Sequence, residues 1–122
     1  MPKKKKVLFV DDDPDIRDIV SFILEDEEIE LLNLAELPPT VAIAEVEPDL
    51  ILLDEWLPEK KGSEFCLELK SKKHTAHIPV ILISAVGGLE TIARNCSADG
   101  FVNKPFDIEQ LKQLVGACLV AV

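Results

Sequence analysis

The sequence predicts a doubly wound α/β domain, a (βα)5 arrangement with a five-stranded parallel sheet and helices on both faces. Two observations carry the prediction. Short apolar runs alternate with longer amphipathic stretches five times along the chain. The runs are continuous rather than alternating, the mark of strands covered on both faces, and β-then-α order connects parallel strands through crossover helices. At 122 residues and 48% hydrophobic content, the chain suits one compact domain, residues 1–122, with a core that needs no covalent staple.

The first run, residues 7–10, ends abruptly in acid. Pro14 then opens a helix, with Asp12 or Asp13 as its cap and Ile16, Ile19, Val20, Ile23 and Leu24 at helical spacing. Residues 29–34 are the second strand. Pro38-Pro39-Thr40 opens a second helix reaching about residue 47, whose apolar face is the least clear. Residues 50–53 form the third strand, stopped by Asp54. A third helix runs from Gly62 to about residue 72 with Phe65, Cys66 and Leu69 inward. The fourth strand, 79–83, is closed by Ser84. After Gly87-Gly88 comes a short helix, 89–96, then a brief fifth strand at 101–102. Asp107 caps the last helix, with Ile108, Leu111, Leu114, Val115, Cys118 and Leu119 in register.

Composition narrows the function. A net charge of −10 argues against holding nucleic acid by neutralising its phosphates. The lysines within residues 1–6 read as a solvated leader before the first strand. No apolar segment is long enough for a signal sequence or a membrane span. Cys66, Cys96 and Cys118 are widely spaced and odd in number, so a disulfide framework or a zinc site is not expected, and a reducing cytoplasm is. Because the chain ends with the fifth helix, no output domain is expected.

The polar strand ends carry the chemistry. Ligands of a doubly wound sheet bind beyond the carboxyl ends of its strands. There the first, third, fourth and fifth strands present Asp11-Asp12, Asp54, Ser84 and Lys104. Each alone reads as a turn residue; together they converge on one edge. Clustered carboxylates need a positive charge among them, and oxygen donors without His or Cys suit Mg²⁺ or Mn²⁺. A lysine adds a second cation, a hydroxyl can donate to a phosphoryl oxygen, and an Asp can act as the nucleophile that forms an acyl phosphate.

The segments VLFVDDDPDIR, PDLILLDEWLPEKKG, PVILISA and ADGFVNKPF resemble, in order and spacing, the signature of response regulator receiver domains, over essentially the whole chain. The resemblance implies a flavodoxin-like three-layer fold with strand order 2-1-3-4-5. It implies that Asp54 is the phosphoacceptor, that Asp11, Asp12 and the backbone carbonyl of Trp56 hold Mg²⁺ with Asp54, and that Lys104 pairs with the phosphoryl oxygens. Ser84 takes the place of the switch hydroxyl and Phe101 that of the switch aromatic. Lys104-Pro105 matches a bond that is cis in the family, which aims the lysine inward. The implied donor is a sensor histidine kinase or a histidine phosphotransfer protein. The implied output is docking to a downstream protein or onward transfer, by a monomer or weak homodimer in the cytoplasm.

Several positions depart from that pattern. Glu55 stands where the family has an apolar residue, and its side chain is expected to turn to solvent. Trp56 and Val86 lie where water access is governed, and are expected to shield the acyl phosphate. The fourth helix is short, which bears on the signalling face. The alternative function is a binding module that keeps the fold without being phosphorylated. A phosphatase with an aspartyl nucleophile would want a second Asp where Trp56 stands, and no Gly-rich loop supports nucleotide binding.

Overall fold

The computed structural model describes residues 4–120. Five strands, β1 (Lys5–Val10), β2 (Ile29–Leu34), β3 (Leu50–Asp54), β4 (Val80–Ser84) and β5 (Gly100–Asn103), alternate with five helices, α1 (Pro14–Ile23), α2 (Thr40–Val46), α3 (Gly62–Ser71), α4 (Leu89–Asn95) and α5 (Ile108–Val120). The strands form one parallel sheet in the order β2-β1-β3-β4-β5. Chain order reverses between β1 and β3, which opens a crevice at their carboxyl ends.

Side-chain parity divides the core. Leu8, Val10, Ile51, Leu53, Val80 and Leu82 face α2, α3 and α4, where they meet Ile43, Phe65, Cys66, Leu69, Leu89 and Ala93. Val7, Phe9, Leu50, Leu52, Ile81, Ile83 and Val102 face α1 and α5, against Val20, Ile23, Leu24, Leu111 and Val115. Every residue of β3 and β4 is buried, which explains why those strands read as unbroken apolar runs. Burying each large side chain is worth about 1.5–3 kcal/mol, so the central strands are the rigid part from which the site is built.

Local chemistry sets the helix ends. Asp13 is the α1 cap: its carboxylate accepts the Asp15 N–H at 2.9 Å, and Pro14 fills the first turn. The Asp107 carboxylate accepts the N–H groups of Glu109 and Gln110 at 2.8 and 3.2 Å at the start of α5. Glu47 ends α2 in the left-handed region, at φ 54°. Gly88, at φ +73°, makes the turn into the seven-residue α4, a conformation that costs glycine nothing.

Three details differ from the sequence reading. Lys5 and Lys6 belong to β1, paired with Ile29 and Glu30, rather than to a solvated leader; residues 1–3 of that leader lie outside the described residues. Backbone pairing does not depend on side-chain polarity. The Lys6 N–H reaches the Asp49 carboxylate at 2.8 Å and its ammonium reaches the Val46 carbonyl at 3.1 Å. On α1, Ile19 is exposed although it keeps helical spacing, as is Ile108 on α5. Both sit at the edge of their helix's apolar stripe. Among the described residues, no helix is long and apolar enough to cross a membrane.

Candidate functional site

The crevice collects the polar strand ends. Asp11 follows β1, Asp54 ends β3, Ser84 ends β4 and Lys104 follows β5. Asp11 is fully buried, Asp54 is 7% exposed and Ser84 is 1% exposed. The Lys104 ammonium lies 2.9 Å from one Asp11 oxygen and 3.6 Å from Asp54. The other Asp11 oxygen accepts the Asp13 N–H at 2.9 Å. Asp11 is therefore held on both oxygens, and the lysine leans on it more closely than on Asp54.

Asp12 is exposed and completes the cluster. Asp11, Asp12 and Asp54 each offer a carboxylate oxygen within 4.8 Å of the others. Three acids face one lysine, an excess of negative charge at short range. Hard oxygen donors with a surplus of charge fit a divalent cation such as Mg²⁺. Bound there, such an ion would neutralise charge on the carboxylates and on an anionic ligand brought to them.

Burial pushes the Asp54 carboxyl above the ordinary carboxylate range. Lys104 opposes that shift, Asp11 adds to it, and hydrogen bonds from the Glu55 N–H and the Ser84 hydroxyl oppose it. Because burial outweighs the favourable partners, ionising Asp54 costs the folded protein more than the unfolded chain. The stability linked to the neutral form is complete below the unfolded pKa, about 3.9, and is lost as pH rises through the higher folded value. Without a divalent ion, Asp54→Asn is therefore expected to melt above wild type at neutral pH, with the gap closing in acid. Melting curves across pH in a chelator read this directly. An Asp54→Asn protein that melts below wild type at neutral pH contradicts it.

The remaining residues singled out by sequence fall around this centre. Phe101, on β5, is half-buried and packs against the cluster on the α2–α4 side. The Lys104–Pro105 peptide is cis. Val86 is half-buried, and its N–H points at the Ser84 hydroxyl at 3.4 Å. Trp56 is 57% exposed, with the Lys61 ammonium 5.5 Å from its ring centroid.

Glu55 corrects the sequence reading. It does not turn to solvent: it is 3% exposed. One of its oxygens accepts the Ser63 N–H at 2.7 Å and the other the Ser63 hydroxyl at 2.8 Å. Strand alternation aims Asp54 into the crevice and Glu55 the opposite way, at the start of α3. Unpaired N–H groups there favour a carboxylate. Lys61, the residue at that helix's cap position, supplies no side-chain acceptor, a gap visible in the sequence. Two further contacts carry no strong sequence signal. Arg17 donates to the Asp11 carbonyl at 2.7 Å. Gly62 packs so tightly on β3 that a Cβ there would lie 2.1 Å from the Asp54 carbonyl oxygen.

The model of the response regulator receiver domain matches residues 7–116. The chain belongs to that family. Receiver domains are regulatory phosphoacceptors, generally not enzymes, and accept phosphoryl groups from histidine kinases. The DNA-binding dual master transcriptional regulator RpaA of Synechocystis is 35% identical over 117 residues, covering 93% of this chain and 48% of that protein. A putative response regulator from Chloroflexus aurantiacus superposes with a TM-score of 0.88 at 23% identity, covering 98% of this chain and all of that one, which shows the shared fold. The chemotaxis protein CheY4 of Vibrio cholerae superposes with a TM-score of 0.82 at 25% identity, covering 95% of this receiver chain and 99% of its own. The receiver chain spans about half or less of the length of the curated relatives it matches.

Proposed function

We propose that this receiver domain is a working phosphorylation switch with Asp54 as its phosphoacceptor. The observation that carries the reading is the Asp54 carboxylate itself. It lies at the carboxyl end of β3, next to a lysine, a buried hydroxyl and two further carboxylates. The donor in this reading is the phosphohistidine of a sensor kinase or of a phosphotransfer protein. An Asp54 oxygen attacks phosphorus in line; the P–N bond breaks as the P–O bond forms, and the imidazole leaves with a proton. Lys104 balances charge on the phosphoryl oxygens, which draws it from Asp11, and the Ser84 hydroxyl donates to one of them. Asp11, Asp12, Asp54 and the Trp56 carbonyl would hold Mg²⁺ or Mn²⁺.

The output is a shift between two surface arrangements. Ser84 moving toward the phosphoryl group draws on the β4–α4 connection, and Phe101 on the neighbouring strand turns inward. A net charge of −10 suits a signal passed by protein docking or by onward transfer to a histidine, and not direct contact with nucleic acid. Incubation with Mg²⁺ and phosphoramidate, read by intact mass, tests the reading. One added phosphoryl group per chain, absent in a chelator, supports it. No adduct under any divalent ion favours a binding module that is not phosphorylated.

Trp56 and Val86 flank the mouth of the site in this reading, and limit the approach of water to the acyl phosphate. Trp56→Asn is expected to shorten the phosphoryl lifetime severalfold without changing the melting temperature, since Trp56 is largely exposed. Timing phosphoryl loss after removal of donor measures it, and an unchanged lifetime refutes the shielding role.

A further inference from the structure

Among the described residues, three carboxylates are buried, Asp11, Asp54 and Glu55, and Glu55 has no task in the chemistry above. It sits between the two groups that matter most, the Asp54 carboxylate and the Trp56 carbonyl. Three hydrogen bonds tie it to the first turn of α3. Its side chain takes the Ser63 N–H and hydroxyl at 2.7 and 2.8 Å, and its carbonyl takes the Gly62 N–H at 2.9 Å. Just beyond, Trp56 and Lys61 pair as an isolated antiparallel bridge, so the intervening loop is closed at its base by Glu55. The Glu64 carboxylate reaches back to the Lys61 N–H at 3.1 Å, which leaves the Ser63 N–H to Glu55.

We infer that Glu55 is a positioning residue, which through Ser63 anchors α3 against the end of β3 and so fixes both the Asp54 carboxylate and the Trp56 carbonyl. The inference rests on the reading of Asp54 as phosphoacceptor. Its physical basis is shared geometry. The peptide planes on either side of Glu55 lead directly to the two site groups, so a shift of residue 55 relative to α3 turns both. In-line transfer is intolerant of that, since misplacement by about 1 Å can cost up to about a hundredfold in rate.

Three variants of the full chain test it: Glu55→Leu, Glu55→Gln and Ser63→Ala. Gln keeps an acceptor for the Ser63 N–H and a donor for its hydroxyl while removing the charge. The readouts are the affinity for Mg²⁺ alone, followed by the fluorescence of Trp56, the single tryptophan, and the rate of phosphorylation by saturating phosphoramidate well below the melting temperature. Glu55→Leu is expected to weaken Mg²⁺ binding and slow phosphorylation by about ten- to a hundredfold. Glu55→Gln is expected to stay near wild type, and Ser63→Ala to fall between. If Glu55→Leu does not fold, Ser63→Ala against Glu55→Gln carries the same comparison. A Leu or Ala variant that melts lower yet keeps the wild-type rate and Mg²⁺ affinity overturns the inference, because Glu55 is then only a helix cap. A Gln variant as impaired as Leu also overturns it. If wild type itself takes no phosphoryl group, the reading of Asp54 fails, while the Mg²⁺ affinities still decide the role of Glu55.

Discussion

Asp54→Asn is expected to gain no phosphoryl group from Mg²⁺ and phosphoramidate under conditions that label wild type fully. The amide is nearly the same size and can keep the hydrogen bonds offered by the Glu55 N–H and Ser84, so the site is not disturbed sterically. What disappears is the oxygen proposed as the nucleophile. An amide cannot form a stable acyl phosphate, and no other carboxylate takes its place. Asp11 is fully buried with both oxygens engaged, and Asp12 is exposed at the rim of the cluster. The loss is therefore expected to be complete, not partial. Because burial raises the pKa of the Asp54 carboxyl, the same variant is expected to be folded and more heat-resistant in a chelator. Unfolding is thus separated from lost chemistry within one protein. Labelling of the Asp54→Asn protein to the wild-type extent contradicts the assignment.

Gly62→Ala is expected to produce the largest loss of stability of any single-methyl addition near the site. The added Cβ would lie 2.1 Å from the Asp54 carbonyl oxygen, 3.0 Å from its carbon and 3.3 Å from the Glu55 Cα. All three are backbone atoms of the last residue of buried β3 and the buried residue after it, so no side chain can swing aside. Relief requires α3 to move away from β3, which breaks the hydrogen bond from Gly62 to the Glu55 carbonyl at 2.9 Å and the two from Ser63 to the Glu55 carboxylate. Overpacking alone costs about 1–3 kcal/mol, and each lost buried hydrogen bond adds about 1 kcal/mol or more. Urea denaturation should show a loss of at least about 3 kcal/mol. Gly116→Ala is the control. It adds a methyl group where nothing lies within 4 Å and should be neutral or slightly stabilising, since alanine favours α-helix over glycine. Equal effects of the two changes would refute the close-packing account.

The architecture was legible because the pattern of burial is simple. Strands β3 and β4 are covered on both faces and so appear as continuous apolar runs, and the acids and hydroxyl that stop them mark one end of the sheet. Asp11, Asp54, Ser84 and Lys104 could be brought together from strand ends alone, since parallel topology leaves their neighbours little freedom. Glu55 could not be read that way. A lone acid after a strand gives no hint that it faces a helix start, unless one notices that Gly62-Ser63 lies downstream with no capping side chain before it. The contact of Lys104 with Asp11 in preference to Asp54 depends on ångström-scale placement that spacing does not encode. The lysines at positions 5 and 6 misled for a related reason. Their charge reads as solvent-exposed leader, while the hydrogen bonds that make them strand are backbone groups indifferent to side-chain type.

In the proposed switch the Asp54 carboxylate becomes an acyl phosphate. Borohydride reduction of wild-type protein labelled with phosphoramidate and Mg²⁺ identifies that species, because it converts an aspartyl phosphate to homoserine and leaves other phosphoamino acids intact. Peptide mapping is expected to find homoserine in place of Asp54, and nowhere else in the chain. Homoserine at Asp11, Asp12 or Asp13, or a phosphoryl group that survives reduction on Ser84 or a histidine, would contradict it.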